Sequence, residues 1–166
     1  ELYKLPNFLL SKRRIKVIFK LDKKDKDTLN KLGAIWLKSN ITTHNFIDAQ
    51  YWHNNYENVL NAFEEAEIVV YTKNGNILGF CGLVDNYIAG MFVDENERNQ
   101  NIGTNLLQYL QKEKEYLSLK VYKENKKAVN FYKKNHFKIE ELSEDETGND
   151  EYTMYWKNKN KFAKQR

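Results

Sequence analysis

The segment Val93-Asp-Glu-Asn-Glu-Arg98-Asn-Gln-Asn-Ile-Gly103-Thr-Asn-Leu-Leu107 joins a hydrophobic strand to a helix through a short polar turn. Amides in the first turn of a helix have no partner within the helix, and that end carries a partial positive charge. Gly103 and Asn101 tolerate the backbone conformations of a tight turn, and Arg98 could add a charged contact. The segment predicts a phosphate-binding turn, although an ordinary strand–helix turn with a packing glycine has the same pattern.

The elements around this turn follow a simple order. Alternating β-branched runs predict strands, and apolar residues at three- and four-residue spacing predict helices. The strands before and after the central helix form a crossover unit, so we expect them to be parallel. Asn74-Gly75 predicts a hairpin. The predicted order is β-α-α-β-β-β-α-β-α-β-β, with strands at 15–21, 67–72, 77–84, 87–93, 117–122, 137–142 and 151–156, and helices near 29–36, 48–63, 101–115 and 125–134.

Length and composition exclude several classes of protein. The 166 residues suit one domain, and the single cysteine, Cys81, excludes an internal disulfide or a multi-cysteine zinc site. Cys81 lies in a predicted strand, where we expect it to be buried and inert. The three histidines lack metal-ligand spacing, so we predict no metal. We also expect no membrane span and no signal peptide, which with one cysteine favours a reducing, cytoplasmic setting.

The net charge of +4 is unevenly distributed along the chain. Residues 1–14 carry +3 and residues 157–166 carry +5, which leaves −4 on the rest. Basic ends are more often solubilising tails than nucleic-acid surfaces, so we expect no nucleic-acid partner. We predict an N-terminal extension over 1–14, a single domain over 15–157 and a basic C-terminal tail over 158–166.

Two motifs together resemble the GNAT (Gcn5-related N-acetyltransferase) superfamily. Arg98-Asn-Gln-Asn-Ile-Gly-Thr104 is similar to its acyl-CoA loop, R/Q-x-x-G-x-G/A. Asn125-Lys-Lys-Ala-Val-Asn-Phe-Tyr-Lys-Lys-Asn-His-Phe137, which starts 27 positions later, is similar to N-x-x-A-x-x-F-Y-x-x-x-G-F. Trp36-Leu-Lys-Ser39, Thr43-His-Asn-Phe-Ile47 and Tyr51-Trp52 resemble a bacterial branch that includes protein-lysine acetyltransferases. Asn101 and His136 stand where the family usually has glycine; both residue types can still adopt the left-handed conformation.

The resemblance implies an α/β (α+β) fold: a mixed, mostly antiparallel sheet of six to seven strands, flanked by about four helices, with a parallel central pair splayed into a V-shaped cleft. It implies acetyl-CoA as co-substrate and Tyr132 as the acid that protonates the departing thiolate; a core tyrosine is the alternative. The implied acetyl-CoA-binding residues are Met91, Phe92, Val93, Arg98, Asn99, Gln100, Asn101, Ile102, Gly103, Thr104 and Asn125; a plain helix cap is the alternative for Asn125.

The acceptor is expected to enter near His44 and Phe46, in the loop before the second helix. His44 could remove the amine proton directly or through water, or it could simply order the loop. A protein lysine is the first acceptor hypothesis, and a small amine such as a polyamine or an antibiotic is the second. A non-catalytic acyl-CoA-binding regulator and an enzyme acting on charged tRNA are further alternatives. Either a monomer or a homodimer fits the sequence.

Overall fold

The computed structural model describes residues 15–97 and 100–159, and the predicted order of elements is confirmed. The proposed extension over 1–14 and most of the basic tail lie outside the described residues. The elements are β1 (Lys16–Lys20), α1 (Lys26–Thr43), α2 (Ala49–Glu65), β2 (Glu67–Lys73), β3 (Asn76–Val84), β4 (Tyr87–Val93), a 3-10 turn (Glu95–Glu97), α3 (Ile102–Glu113), β5 (Tyr116–Tyr122), α4 (Lys126–Lys134), β6 (Lys138–Glu144) and β7 (Asp150–Lys157).

The seven strands form one sheet in the order β1-β2-β3-β4-β5-β7-β6. Neighbouring strands are antiparallel except β4 and β5, which are parallel as predicted. The predicted β2–β3 hairpin is also confirmed, since Asn74 and Gly75 both have positive φ angles, 52° and 81°. These two angles are what a two-residue hairpin turn with the right twist requires. The expected fold class is therefore confirmed.

The central parallel pair separates soon after it forms. Only Tyr87 pairs with Ser118 and Ile88 with Leu119, whereas β4 remains paired with β3 as far as Val93. A bulge accompanies the separation: Ile88 and Gly90 pair with consecutive residues of β3, which leaves Ala89 as the extra residue. A bulge bends its strand and increases the local twist, so β4 turns away from β5 and opens a cleft.

Helices cover both faces of the sheet. Along β2, Ile68 and Val70 pack with α1 and α2, while Val69 and Tyr71 pack with α3 and α4. This alternation follows from the two-residue period of a strand. Both layers are well filled; Phe80 is fully buried on the α1–α2 side, and burial of such a side chain contributes on the order of 2–3 kcal/mol. Cys81 is free and fully buried on the opposite face, as expected.

Candidate active site

A cavity of about 330 Å³ lies where β4 and β5 separate. Its walls come from the C-terminal part of α1, the end of β4, the first turn of α3 and the inner face of α4. Ten of the candidate residues line it. They are His44, Met91, Phe92, Val93, Asn101, Ile102, Gly103, Thr104, Asn125 and Tyr132, and the other lining residues are Ser39, Asn40, Thr43, Glu97, Lys127, Ala128 and Phe131.

The first turn of α3 lacks the side-chain cap that the other described helices have. Asp25, Asp48 and Asn125 each accept a hydrogen bond from an amide of the helix they precede. Asn101 occupies the equivalent position before α3, but its side chain makes no such bond. The amides at the start of α3 therefore remain available to an anion at the positive end of the helix.

Asn101 has the left-handed conformation that the turn requires, with φ 59° and ψ 22°. The expectation that asparagine would tolerate this geometry is confirmed. The expectation that Gly103 would supply a second permissive position is wrong, because Gly103 lies inside α3 and its φ is not positive. What Gly103 supplies is space: a Cβ there would lie 3.4 Å from Phe131 Cζ and 3.7 Å from Met91 Sδ, at the lining of the cavity.

The residues before Asn101 brace the turn. The Gln100 side-chain amide donates to Glu97 Oε2, and Lys73 Nζ donates to Gln100 Oε1 over 3.3 Å. Gln100 is consequently turned toward these neighbours and does not line the cavity. Arg98 and Asn99, two further candidates for acetyl-CoA binding, lie outside the described residues.

One edge of β4 is left without a neighbouring strand. Met91 and Val93 pair with Cys81 and Gly79 of β3, but β5 pairs with β4 only as far as Ile88. The β5-facing edge of β4 beyond that point borders the cavity. An exposed strand edge can accept an extended ligand through backbone hydrogen bonds, as an added strand does.

Tyr132 reaches the cavity from α4. The side chain is 8% exposed and packs against the rings of Phe131 and Phe137, at centroid distances of 5.2 and 5.5 Å. No hydrogen bond to its hydroxyl comes from residues 15–97 or 100–159. Burial raises the pKa of Tyr132 above its usual range, so the phenol keeps its proton at neutral pH.

The end of α4 holds Tyr132 in place. His136 has φ 71°, and the Phe137 amide donates to the Tyr132 carbonyl over 3.0 Å while the His136 amide donates to Lys133 over 3.1 Å. These two bonds, with the contact between the Phe137 and Tyr132 rings, form a Schellman motif. His136 therefore adopts the conformation expected of the glycine that it replaces.

His44 lines the cavity from the end of α1. Its Nδ1 lies 3.0 Å from Asn40 Oδ1 and its Nε2 lies 3.3 Å from Asn125 Nδ2. Asn125 Oδ1 also accepts from the Ala128 amide over 3.2 Å, so this residue is a helix cap that also faces the cavity. Burial lowers the pKa of His44 to about 4, so the imidazole is neutral at pH 7.

Aromatic rings also pack around His44. Phe46, Trp52 and Tyr122 lie 5.7, 5.5 and 5.1 Å from the imidazole, centroid to centroid. Phe46 also packs against Tyr122 and is absent from the lining of the cavity. The structure therefore places Phe46 in the aromatic cluster around His44 and outside the lining of the cavity.

The β6–β7 hairpin is fastened beside this aromatic cluster. Tyr51 donates to Glu146 Oε1 over 2.6 Å, and Tyr122 donates to Asp145 Oδ2 over 2.5 Å. The turn itself is organised by Asp145, whose Oδ1 accepts from the amides of Thr147 and Asn149. Burial, with a smaller contribution from the hydrogen bond to Glu146, raises the pKa of Tyr51 to about 12, so this phenol keeps its proton and remains a donor.

Three lining residues that sequence reasoning did not single out come from α1: Ser39, Asn40 and Thr43. Together with His44 they recur at helical spacing, which is the signal that could have grouped them on one face.

Within the described part of the chain, no three His, Cys, Asp or Glu side chains are grouped to hold a metal ion. The helices of the same part include none with the length and apolar character needed to cross a membrane.

Comparison with known proteins gives a consistent result. Residues 64–139 match the family model described as the acetyltransferase (GNAT) domain. The chain is 34% identical over 125 residues to the peptidyl-lysine N-acetyltransferase YiaC of Escherichia coli K12. This alignment covers 74% of this chain and 86% of YiaC. The chain is also 34% identical over 115 residues to the peptidyl-lysine N-acetyltransferase YjaB of Salmonella typhimurium, covering 69% and 79%. The solution structure of apo YjaB from Escherichia coli superposes with a TM-score of 0.74 at 25% identity, covering 86% of this chain and 97% of that one.

Proposed function

Because the chain belongs to the GNAT family of acetyltransferases, we propose that it transfers the acetyl group of acetyl-CoA to the side-chain amine of lysine residues in cytoplasmic proteins. We assign this activity to the domain formed by residues 15–157. The observation that carries the proposal is the cavity, which brings the uncapped start of α3 and the buried phenol of Tyr132 to one site.

The α3 turn fits the diphosphate of acetyl-CoA. The amides from Asn101 to Thr104 lie at the positive end of the helix and have no competing side-chain cap. Arg98 belongs to the same turn in sequence, and we expect it to add a charge-assisted contact. A thioester supplies an activated acetyl group; the residues of this chain bind and orient it.

The remaining part of the co-substrate fits the free edge of β4. Met91, Phe92 and Val93 line the cavity there, and their backbone groups suit the amides of an extended pantetheine arm. Backbone amides of the same strand are our candidates for stabilising the oxyanion that forms during the reaction. Asn125 faces this arm from the other wall of the cavity.

Acetyl transfer moves three protons besides the bond changes: the ammonium nitrogen loses one before attack and one as it gains the acetyl group, and the departing thiolate gains one. A free lysine amine has a pKa near 10.4, so about one amine in 2,500 is neutral at pH 7, and a proton must leave before attack. The amine nitrogen then bonds to the carbonyl carbon as the carbon–sulfur bond breaks. Tyr132 donates its proton to the departing thiolate and regains one from solvent, a role that suits a phenol whose pKa is raised by burial.

Two observations support a lysine acceptor. The relatives YiaC and YjaB are named peptidyl-lysine N-acetyltransferases. The β6–β7 hairpin beside the cavity is acidic, with Asp145 and Glu146 at its turn and further acidic residues at 140, 141 and 144, whereas Asp150 and Glu151 are paired with lysines. An acidic surface attracts a cationic peptide and increases its rate of association.

The test is acetylation of a peptide panel followed by mass spectrometry. The protein is incubated with acetyl-CoA and lysine peptides whose neighbouring residues are basic, neutral or acidic, with polyamines in parallel. We expect new acetyl groups on lysine side chains, with basic peptides modified fastest. Acetylated polyamine with unmodified peptides would overturn the lysine acceptor. Binding of acetyl-CoA without turnover of any amine would indicate a regulator.

A further inference from the structure

Two buried amides next to His44 have orientations that can be read from their other hydrogen bonds. Asn40 is 4% exposed, and its Nδ2 donates to the Trp36 carbonyl over 2.9 Å. Its Oδ1 is therefore the atom that faces His44 Nδ1. A carbonyl oxygen only accepts hydrogen bonds, so the imidazole proton belongs on Nδ1.

The second amide leads to the same conclusion independently. Asn125 uses Oδ1 to cap α4 at the Ala128 amide, which leaves Nδ2 facing His44 Nε2. An amide nitrogen donates, so Nε2 must be the nitrogen with the lone pair. Two amides from different helices thus favour one tautomer of a neutral imidazole. The longer distance, 3.3 Å to Asn125 against 3.0 Å to Asn40, makes Nε2 the nitrogen whose hydrogen bond is more easily exchanged.

We propose that Asn40 is a positioning residue that keeps the imidazole proton of His44 on Nδ1, so that Nε2 accepts the proton of the incoming amine. This inference rests on the proposed function. The ammonium loses one proton to solvent before attack; as the nitrogen then bonds to the carbonyl carbon, its second proton passes to Nε2, displacing the weak bond from Asn125, and from there to solvent. Nδ1 stays bonded to Asn40 throughout.

Few charged groups surround His44 that could set its tautomer in place of Asn40. Trp52 faces it from α2 and Tyr122 from β5, and the phenol of Tyr122 is bonded to Asp145. Phe46 faces it from the loop, and the charged residues lining the same cavity are Glu97 and Lys127. Burial alone accounts for the lowered pKa of the imidazole, which therefore presents no second cation to an entering ammonium group.

A purely structural role for Asn40 makes a different prediction. The backbone amide of His44 already donates to the Asn40 carbonyl over 2.9 Å at the end of α1, so the side-chain bond could serve only to finish the helix. In that case a change at Asn40 would alter stability and leave the pH dependence of the reaction where it is. The proposal requires the pH dependence to move.

The first experiment measures the tautomer directly. Long-range ¹⁵N–¹H correlation spectra of the full chain at pH 7, with and without acetyl-CoA, should show His44 protonated on Nδ1 and not on Nε2. A proton on Nε2, or equal populations of the two tautomers, would overturn the proposal. This measurement requires neither a variant nor turnover, so it stays informative if the acceptor proves to be a small amine.

The second experiment compares Asn40→Asp with Asn61→Asp, which adds the same charge at an exposed position of α2. For each variant, kcat/KM relative to the unsubstituted chain is measured from pH 5 to 9 with the same amine, which cancels the ionisation of that amine. A carboxylate beside Nδ1 favours the imidazolium form, so the acidic limb should move up by about one to three pH units in Asn40→Asp alone.

Coincident profiles for the two variants would overturn the proposal. Calorimetry with acetyl-CoA separates this outcome from failure of the proposed function: loss of co-substrate binding in the unsubstituted chain refutes the function, whereas intact binding with an unmoved limb refutes only the role of Asn40. Should Asn40→Asp not fold, the tautomer spectra of the unsubstituted chain decide the matter.

Discussion

Replacing Tyr132 with phenylalanine removes one oxygen from the cavity and leaves the packing intact. The ring keeps its contacts with Phe131 and Phe137, and the lost hydroxyl has no hydrogen-bond partner among the described residues. We therefore expect the free energy of unfolding to change by less than about 0.5 kcal/mol. The affinity for acetyl-CoA should also be nearly unchanged, because its proposed binding groups lie on β4 and α3.

The rate should fall much more. General acid catalysis typically contributes about 10²–10⁴-fold, and a thiolate is a fair leaving group because thiol pKa values lie near 8.5. We therefore expect the lower end of this range, a loss of about 100-fold in kcat, or about 2.7 kcal/mol of transition-state stabilisation. Since burial raises the pKa of Tyr132, this acid should not itself cause a loss of activity below about pH 10.

Tyr71→Phe is the matched control. Tyr71 is 2% exposed, its hydroxyl also lacks a partner among the residues that the structure describes, and it lies in the core outside the cavity. Both variants are assayed by release of free thiol with a saturating amine acceptor, and their affinity for acetyl-CoA is measured by calorimetry. Tyr71→Phe should retain full activity. Retention of more than a third of the normal kcat by Tyr132→Phe would refute the assignment of the acid.

Three further changes have defined outcomes. Gly103→Ala should weaken acetyl-CoA binding at least about tenfold by calorimetry, since the new methyl lies against Phe131 at the lining of the cavity. It should also raise the melting temperature, because alanine favours a helix over glycine by up to about 1 kcal/mol. Unchanged affinity for acetyl-CoA would contradict the role of Gly103. His136→Gly should raise the free energy of unfolding in urea by about 0.5–1 kcal/mol by relieving a left-handed residue, and a loss of stability would contradict the Schellman geometry. Burial lowers the pKa of His44 from 6.5 to about 4, so between these pH values the unfolded chain binds a proton that the folded chain does not. The free energy of unfolding should therefore have its full value above pH 6.5 and fall by roughly 3 kcal/mol toward pH 4. His44→Gln should remove this pH dependence, as measured by urea unfolding at each pH.

Features set by local sequence patterns were predictable. The β-branched run of β2, the hairpin signal Asn74-Gly75 and the apolar return strand β3 were sufficient to place the meander, and apolar spacing was sufficient to place the helices. The crossover rule gave the parallel pair, because the connection between β4 and β5 contains a helix. The residues at the start of α3 and Tyr132 could be assigned to one cavity because two motifs at a known separation constrain the same cleft.

Features that depend on contacts distant in sequence were not predictable. Asn125 meets His44 across 81 positions and Tyr51 meets Glu146 across 95, and no local pattern reports such pairs. Phe46 was predicted at the acceptor entrance; its ring packs against His44 outside the cavity lining, since rotamer and loop path decide which of two neighbouring aromatic residues faces a cavity. Gly103 was expected to be a permissive position of the turn, but it lies inside α3, and Asn101 is the residue of this turn that adopts the left-handed conformation.

The separation of β4 from β5 also affects the order in which substrates bind. Two residue pairs join the strands, so the surfaces on either side of the gap are weakly coupled to each other. Under the proposed function, a co-substrate that lies along β4 ties these surfaces together and completes the pocket for the acceptor. We therefore expect acetyl-CoA to bind first, and we expect no complex of the acceptor with the unloaded chain to accumulate.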